Sequence, residues 1–115
     1  MSLNADGEVY IDVEDALKRI GGNMDLYKRL LKRFVDGNQI EELQNSVTRG
    51  DNQEEAVRHA HTLKGVSANL SLVKLRTQAA ELEAAIKDGL DNSALLSELA
   101  VTYDDTVKTI KELLG

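Results

Sequence analysis

The stretch Ala56-Val57-Arg58-His59-Ala60-His61-Thr62-Leu63-Lys64-Gly65-Val66-Ser67-Ala68-Asn69-Leu70 carries two distinct rows of side chains on one helical repeat. At about 100° per residue, Ala56, Ala60, Leu63, Ser67 and Leu70 recur every three or four positions and form an inward row. His61, Lys64, Gly65 and Ala68 share the neighbouring face, which is open. The imidazole there has small neighbours four and seven positions on, and its only long neighbour is a cation. Another protein could therefore approach the ring closely. Glycine inside a helix costs roughly 1 kcal/mol relative to alanine, so Gly65 calls for a physical reason. Close approach of a partner supplies one, and tight packing against a neighbouring helix supplies another.

Working outward, Asp51 with Glu54 has the spacing of a capping box and opens this helix, which ends near Asn69. Ser71 then caps a segment with Leu72, Leu75, Ala79, Leu82 and Ile86 inward, closed by Asp88-Gly89. A last helix runs from about Asn92 to Leu114 with Leu95, Leu96, Leu99, Tyr103, Val107, Ile110 and Leu114 inward. Towards the N-terminus, Asp12 caps a short helix to about Ile20 that ends at Gly21-Gly22. Asn23 caps another, with Leu26, Tyr27, Leu30, Leu31, Phe34 and Val35 on one face. Ile40, Leu43 and Val47 resume its period beyond Gly37, so residues 23–49 form either one bent helix or two, with one long helix favoured. Short connections favour antiparallel neighbours. The expected fold is all-α: an up-down-up-down antiparallel four-helix bundle with a short additional N-terminal helix. It occupies residues 9–115 as one domain, after a disordered or vector-derived N-terminus, residues 1–8.

Composition agrees. The 115 residues contain no proline or tryptophan and one phenylalanine, which suits packed helices better than a sheet sandwich. Fourteen basic against twenty acidic residues give a net charge of −6, which disfavours nucleic acid and anionic membranes as partners and points to another protein. With no cysteine, disulfides and thiolate chemistry are excluded. No apolar run approaches the ~20 residues of a membrane span, and the N-terminus lacks a signal-peptide apolar region. A cytoplasmic location fits these features, and a bundle that closes its own core predicts a monomer.

The chemistry open to His61 is narrow. His59 and His61, the only histidines, diverge by about 200° on a helix and cannot chelate one metal ion. Ser67 lies on the inward row, so a serine-histidine pair along one face is not available, and no glycine-rich loop suits nucleotide phosphates. No metal or cofactor of the chain's own is expected, and no ATP-dependent activity. Phosphoryl transfer between proteins needs little machinery, because positioning and charge neutralisation carry most of it. A neutral imidazole supplies the nucleophile, Lys64 can screen phosphate, and Gly65 and Ala68 leave room for a partner's active site. A carboxylate-bound Mg²⁺ would belong to that partner.

The run Ala60-His61-Thr62-Leu63-Lys64-Gly65 closely resembles the hallmark of the histidine-containing phosphotransfer (HPt) family. Leu26 to Phe34 and Gln78 to Glu83 are similar to two further family segments, and the resemblance spans about residues 10–113. It implies that His61 is phosphorylated, that Lys64 stabilises the phosphate, and that Gly65 gives the acceptor domain access. It implies too that Glu83 orients the histidine, with Gln78 as a rival on the same helix. On the residues alone Glu83 reads equally as a plain surface carboxylate. Val66 stands where smaller residues are common, and His59 lies outside the motif and reads as solvent-exposed. Leu17, Ile20 and Val57 could add apolar area to a docking patch or belong to the core.

The function this implies is a non-enzymatic phosphocarrier in a multistep two-component relay. It would take phosphate on His61 from a receiver-domain aspartate and pass it to another receiver. Its partners would be response-regulator receiver domains and a sensor histidine kinase, and the chain would be free or the cytoplasmic end of a membrane-bound hybrid kinase. Two alternatives stand beside it: the phosphoacceptor domain of a chemotaxis-type kinase, and a non-phosphorylated helical adaptor that binds receivers.

Overall fold

Residues 2–5 and 8–115 are described in the computed structural model. Two short strands, β1 (Ser2–Ala5) and β2 (Glu8–Asp12), pair antiparallel. Six helices follow: α1 (Val13–Arg19), α2 (Met24–Asp36), α3 (Gln39–Arg49), α4 (Gln53–Asn69), α5 (Val73–Lys87) and α6 (Ser93–Leu114). Among the described residues the fold is helical apart from that hairpin. Within the segment 1–8, residues 1, 6 and 7 lie outside the described residues, while β1 and the start of β2 lie inside.

Asp12 ends β2 and starts α1, its carboxylate accepting the backbone N–H of Asp15 at 3.1 Å. Acidic Glu14 and Asp15 in the first turn and basic Lys18 and Arg19 in the last suit the helix dipole. Gly21 and Gly22 then take φ of +72° and +80°, a left-handed path that favours glycine and turns the chain into α2. Asn23 caps α2 by accepting from Leu26 N at 3.0 Å.

The long helix favoured over 23–49 is broken. Gly37 adopts an extended backbone (ψ 172°), and α3 begins two residues later. The corner is held from outside: Phe34 packs on Tyr103 of α6 with ring centroids 5.2 Å apart, and the Tyr103 hydroxyl donates to Gln39 Oε1 at 3.1 Å. Buried Leu31 and Phe34 on α2 and Leu43 on α3 all reach the core, which a straight helix through the glycine would not guarantee.

Two caps also sit elsewhere than the sequence suggests. Asn52, not Asp51, caps α4, accepting from Glu55 N at 3.0 Å, while Asp51 pairs with Arg49 at 3.4 Å. Ser71 does not cap α5. It takes a left-handed φ of 56°, donates its hydroxyl to Asp15 Oδ2 at 2.7 Å, and offers its carbonyl to Asp12 N at 2.9 Å. The α4–α5 turn is thereby tied to the start of α1, and Leu72 precedes α5 with no side-chain cap.

The core runs between α4, α5, α6 and α2. Ala56, Ala60, Leu63, Ser67 and Leu70 are all buried, as are Leu72, Leu75, Ala79, Leu82 and Ile86. On α6 the apolar reading is incomplete: Leu99, Tyr103 and Ile110 are buried, but so are Thr102, Thr106 and Thr109. The last two return their hydroxyls to carbonyls one turn back, Thr106 to Thr102 at 2.6 Å and Thr109 to Asp105 at 2.9 Å, so their burial leaves no orphan donor.

Candidate functional site

The three-residue turn 70–72 folds α5 back along α4, so the middle of each helix faces the other. This brings His61 of α4 against Glu83 of α5, with Nδ1 3.2 Å from Oε2. Lys64, one turn beyond His61, places Nζ 2.7 Å from the other carboxylate oxygen, Oε1. Lys87, one turn beyond Glu83, reaches Oε2 at 3.1 Å. One carboxylate thus gathers an imidazole and two ammonium groups.

Exposure is sharply graded across the cluster. The His61 side chain is 66% exposed, Lys64 34% and Glu83 only 7%. Glu83 is therefore not a surface carboxylate, and of the two candidate orienting residues on α5 it is the one beside His61. Gln78 faces a different cleft with Tyr10, Lys74 and Glu98, its Oε1 buried without a hydrogen bond.

The hydrogen bond from Lys64 outweighs the burial of Glu83, and with help from Lys87 it holds the carboxyl down at about 2. Glu83 is thus an anion at neutral pH and can only accept. The nitrogen facing it must donate, so in the neutral ring the proton sits on Nδ1 and the lone pair on Nε2. In that tautomer the nitrogen able to attack is the one turned away from Glu83.

Gly65 completes the open face. A Cβ built there would meet nothing within 4 Å, which removes packing against a neighbouring helix as its reason and leaves open space beside the imidazole. Ala68 is half-buried on the same side.

A family model described as Hpt domain matches residues 29–114. The chain belongs to the Hpt domain family. Among solved structures it is similar to the HPT domain of an Hpt sensor hybrid histidine kinase from Shewanella. The two share 20% identity over 91% of this chain and 93% of that one, with a TM-score of 0.80. No curated protein matches it in sequence.

Around the cluster, this Hpt domain differs from the sequence reading in two places. His59 is only partly solvent-exposed: its side chain is 21% exposed and lies between Glu55, 3.6 Å from Nε2, and Glu42, 3.8 Å from Nδ1. Lys87 was not singled out, although a glutamate followed four positions later by a lysine on a helix was a legible signal for a pair. Of the proposed docking residues, Leu17, Ile20 and Val57 are all partly buried. Ile20 lines a cleft of about 490 Å³ with Arg19, Arg33, Phe34, Val66 and Asn69, and Val57 sits beside Lys87. Among the described residues no group of three or more His, Asp or Glu could hold a metal, and no helix is long and apolar enough to cross a membrane.

Proposed function

We propose that this Hpt domain is a phosphocarrier in a multistep two-component phosphorelay, accepting a phosphoryl group on Nε2 of His61 from a receiver-domain aspartate and passing it to a second receiver. The observation that carries the reading is the exposed His61 ring gripped at Nδ1 by a buried anion, with Nε2 free. Glu83 fixes the tautomer and the ring plane, Lys64 offsets charge on the incoming phosphoryl group, and Gly65 leaves space for the receiver's acidic pocket.

The Mg²⁺ that assists the chemistry belongs to the receiver, and this chain supplies neither metal nor nucleotide. It acts as a monomer in the cytoplasm, as a partner of receiver domains and, upstream of them, a sensor histidine kinase. The solved relative, described as part of a sensor hybrid histidine kinase, supports that setting.

The test is to incubate the purified protein with a panel of phosphorylated receiver domains and measure phosphate on it by intact mass, beside His61→Gln. Label on the wild type alone supports the relay. Label that persists on His61→Gln rejects His61 as the site. Label only from an ATP-bound kinase domain would assign the chain to a chemotaxis-type kinase, and receiver binding without label would make it an adaptor.

A further inference from the structure

Glu83 has more cationic partners than a resting site needs. Lys64 alone, at 2.7 Å, satisfies one oxygen, yet Lys87 also reaches the other at 3.1 Å from a side chain that is 58% exposed. Two ammonium groups and one carboxylate leave the cluster with one net positive charge, on a chain whose overall charge is −6. We propose that Lys87 is a positioning residue that takes over Glu83 when Lys64 leaves it for the phosphoryl group on His61. This rests on the phosphocarrier reading of His61.

The charge movements during transfer give a second lysine a role. The Nε2 lone pair forms the N–P bond, and the bond from phosphorus to the donor breaks with its electron pair leaving on the donor. The Nδ1 proton stays on the ring. The product ring is cationic at Nδ1–H and carries a dianionic phosphoryl group at Nε2. Glu83 must remain ionised and in place to face that ring. Lys64, one turn from His61, is meanwhile drawn to the phosphoryl oxygens. Were Lys64 the sole lysine on Glu83, its move to the phosphoryl group would leave the buried carboxylate with the ring N–H as its one partner, so Lys64 would be pulled both ways. Lys87, on the same face of α5 as Glu83 one turn on, removes that conflict.

An ordinary helix-surface ion pair would contribute independently of Lys64. A double-mutant cycle separates the two. Wild type, Lys64→Ala, Lys87→Met, the double variant and Lys87→Arg are phosphorylated with phosphoramidate, a small-molecule donor that releases ammonia and needs no cognate receiver. His61→Gln subtracts label at His59. If Lys87 frees Lys64, each single variant labels several-fold more slowly, the double is no slower than either single, and Lys87→Arg stays near wild type. By nitrogen NMR, the Lys64 ammonium signal moves on phosphorylation in wild type and stays put in Lys87→Met, while the His61 Nδ1 signal of the unphosphorylated proteins is the same in both. A wild-type labelling rate in Lys87→Met, single effects that multiply in the double, or a changed resting His61 signal would overturn the proposal. Label from phosphoramidate but from no receiver would instead count against the relay reading alone.

Discussion

His61 Nδ1 and Glu83 Oε2 meet at 3.2 Å across the α4–α5 interface, one side chain 66% exposed and the other 7%. A buried anion therefore holds one edge of a ring whose other edge is in solvent. Most exposed histidines sample rotamers and both tautomers; the contact with Glu83, itself buried and paired with two lysines, favours one of them here. On the proposed function, the inner half of the site orients and the outer half reacts.

Removing the carboxylate should therefore slow phosphorylation without unfolding the bundle. Glu83→Ala is expected to lower the labelling rate of His61 on the order of tenfold or more, by analogy with the loss of a carboxylate that orients a metal-bound histidine. Glu83→Gln should lose less, since its amide oxygen can still accept from Nδ1. Single-turnover labelling with helical content checked by circular dichroism measures both. Equal rates for wild type and Glu83→Ala would remove Glu83 from the mechanism.

The same carboxylate gives the fold a pH dependence. Glu83 titrates near 2 in the folded protein against an ordinary 4.5, so the unfolded chain takes up its proton more readily. Its stabilising contribution is complete above about pH 5 and is lost as pH falls from 4.5 towards 2. Asp15, held low by the Ser71 hydroxyl and then by Arg19, acts in the same direction. Urea denaturation across that window should show a shallower acid loss for Glu83→Gln than for wild type, and parallel curves would contradict the assignment.

The sequence resolved the helical periods better than their junctions. Both inward rows of α4 and α5 follow from three- and four-residue spacing, and the caps at Asp12 and Asn23 from their side chains alone. The break at Gly37 depends on Tyr103, which is remote in sequence and packs against Phe34 and Gln39. Ser71 likewise serves Asp15 rather than its own helix. Glu83 follows the inward Leu82, and nothing local says whether such a position is wet or dry. Where it is buried, its charge is matched by lysines from two helices, one of them on α4.

Gly65 separates access from chemistry. Because a Cβ there meets open space, Gly65→Ala should stabilise the fold by about 0.5–1 kcal/mol through helix propensity. Gly65→Leu should fold equally well and be labelled by phosphoramidate at the wild-type rate, yet take phosphate from receivers far more slowly. Denaturation midpoints and the two labelling rates check this. A loss of both rates in Gly65→Leu would mean that the added bulk disturbs His61 itself.

Tyr27 tests what holds the far end of α4. Its hydroxyl donates to the Leu70 carbonyl at 2.7 Å in a buried setting, and burial raises the phenol's pKa, so it remains a donor at any ordinary pH. Leu70 is the residue that closes α4, and its neighbour Ser71 carries the left-handed turn into α5. Tyr27→Phe keeps the ring and opens no cavity, but leaves a buried acceptor without this donor, which costs about 1–3 kcal/mol. The expected result is a lower urea midpoint at unchanged slope, with His61 labelling unaffected because Glu83 and the two lysines are untouched. A slower labelling rate in Tyr27→Phe would show instead that the α4–α5 turn sets the register between His61 and Glu83, and that stability and reactivity share one constraint.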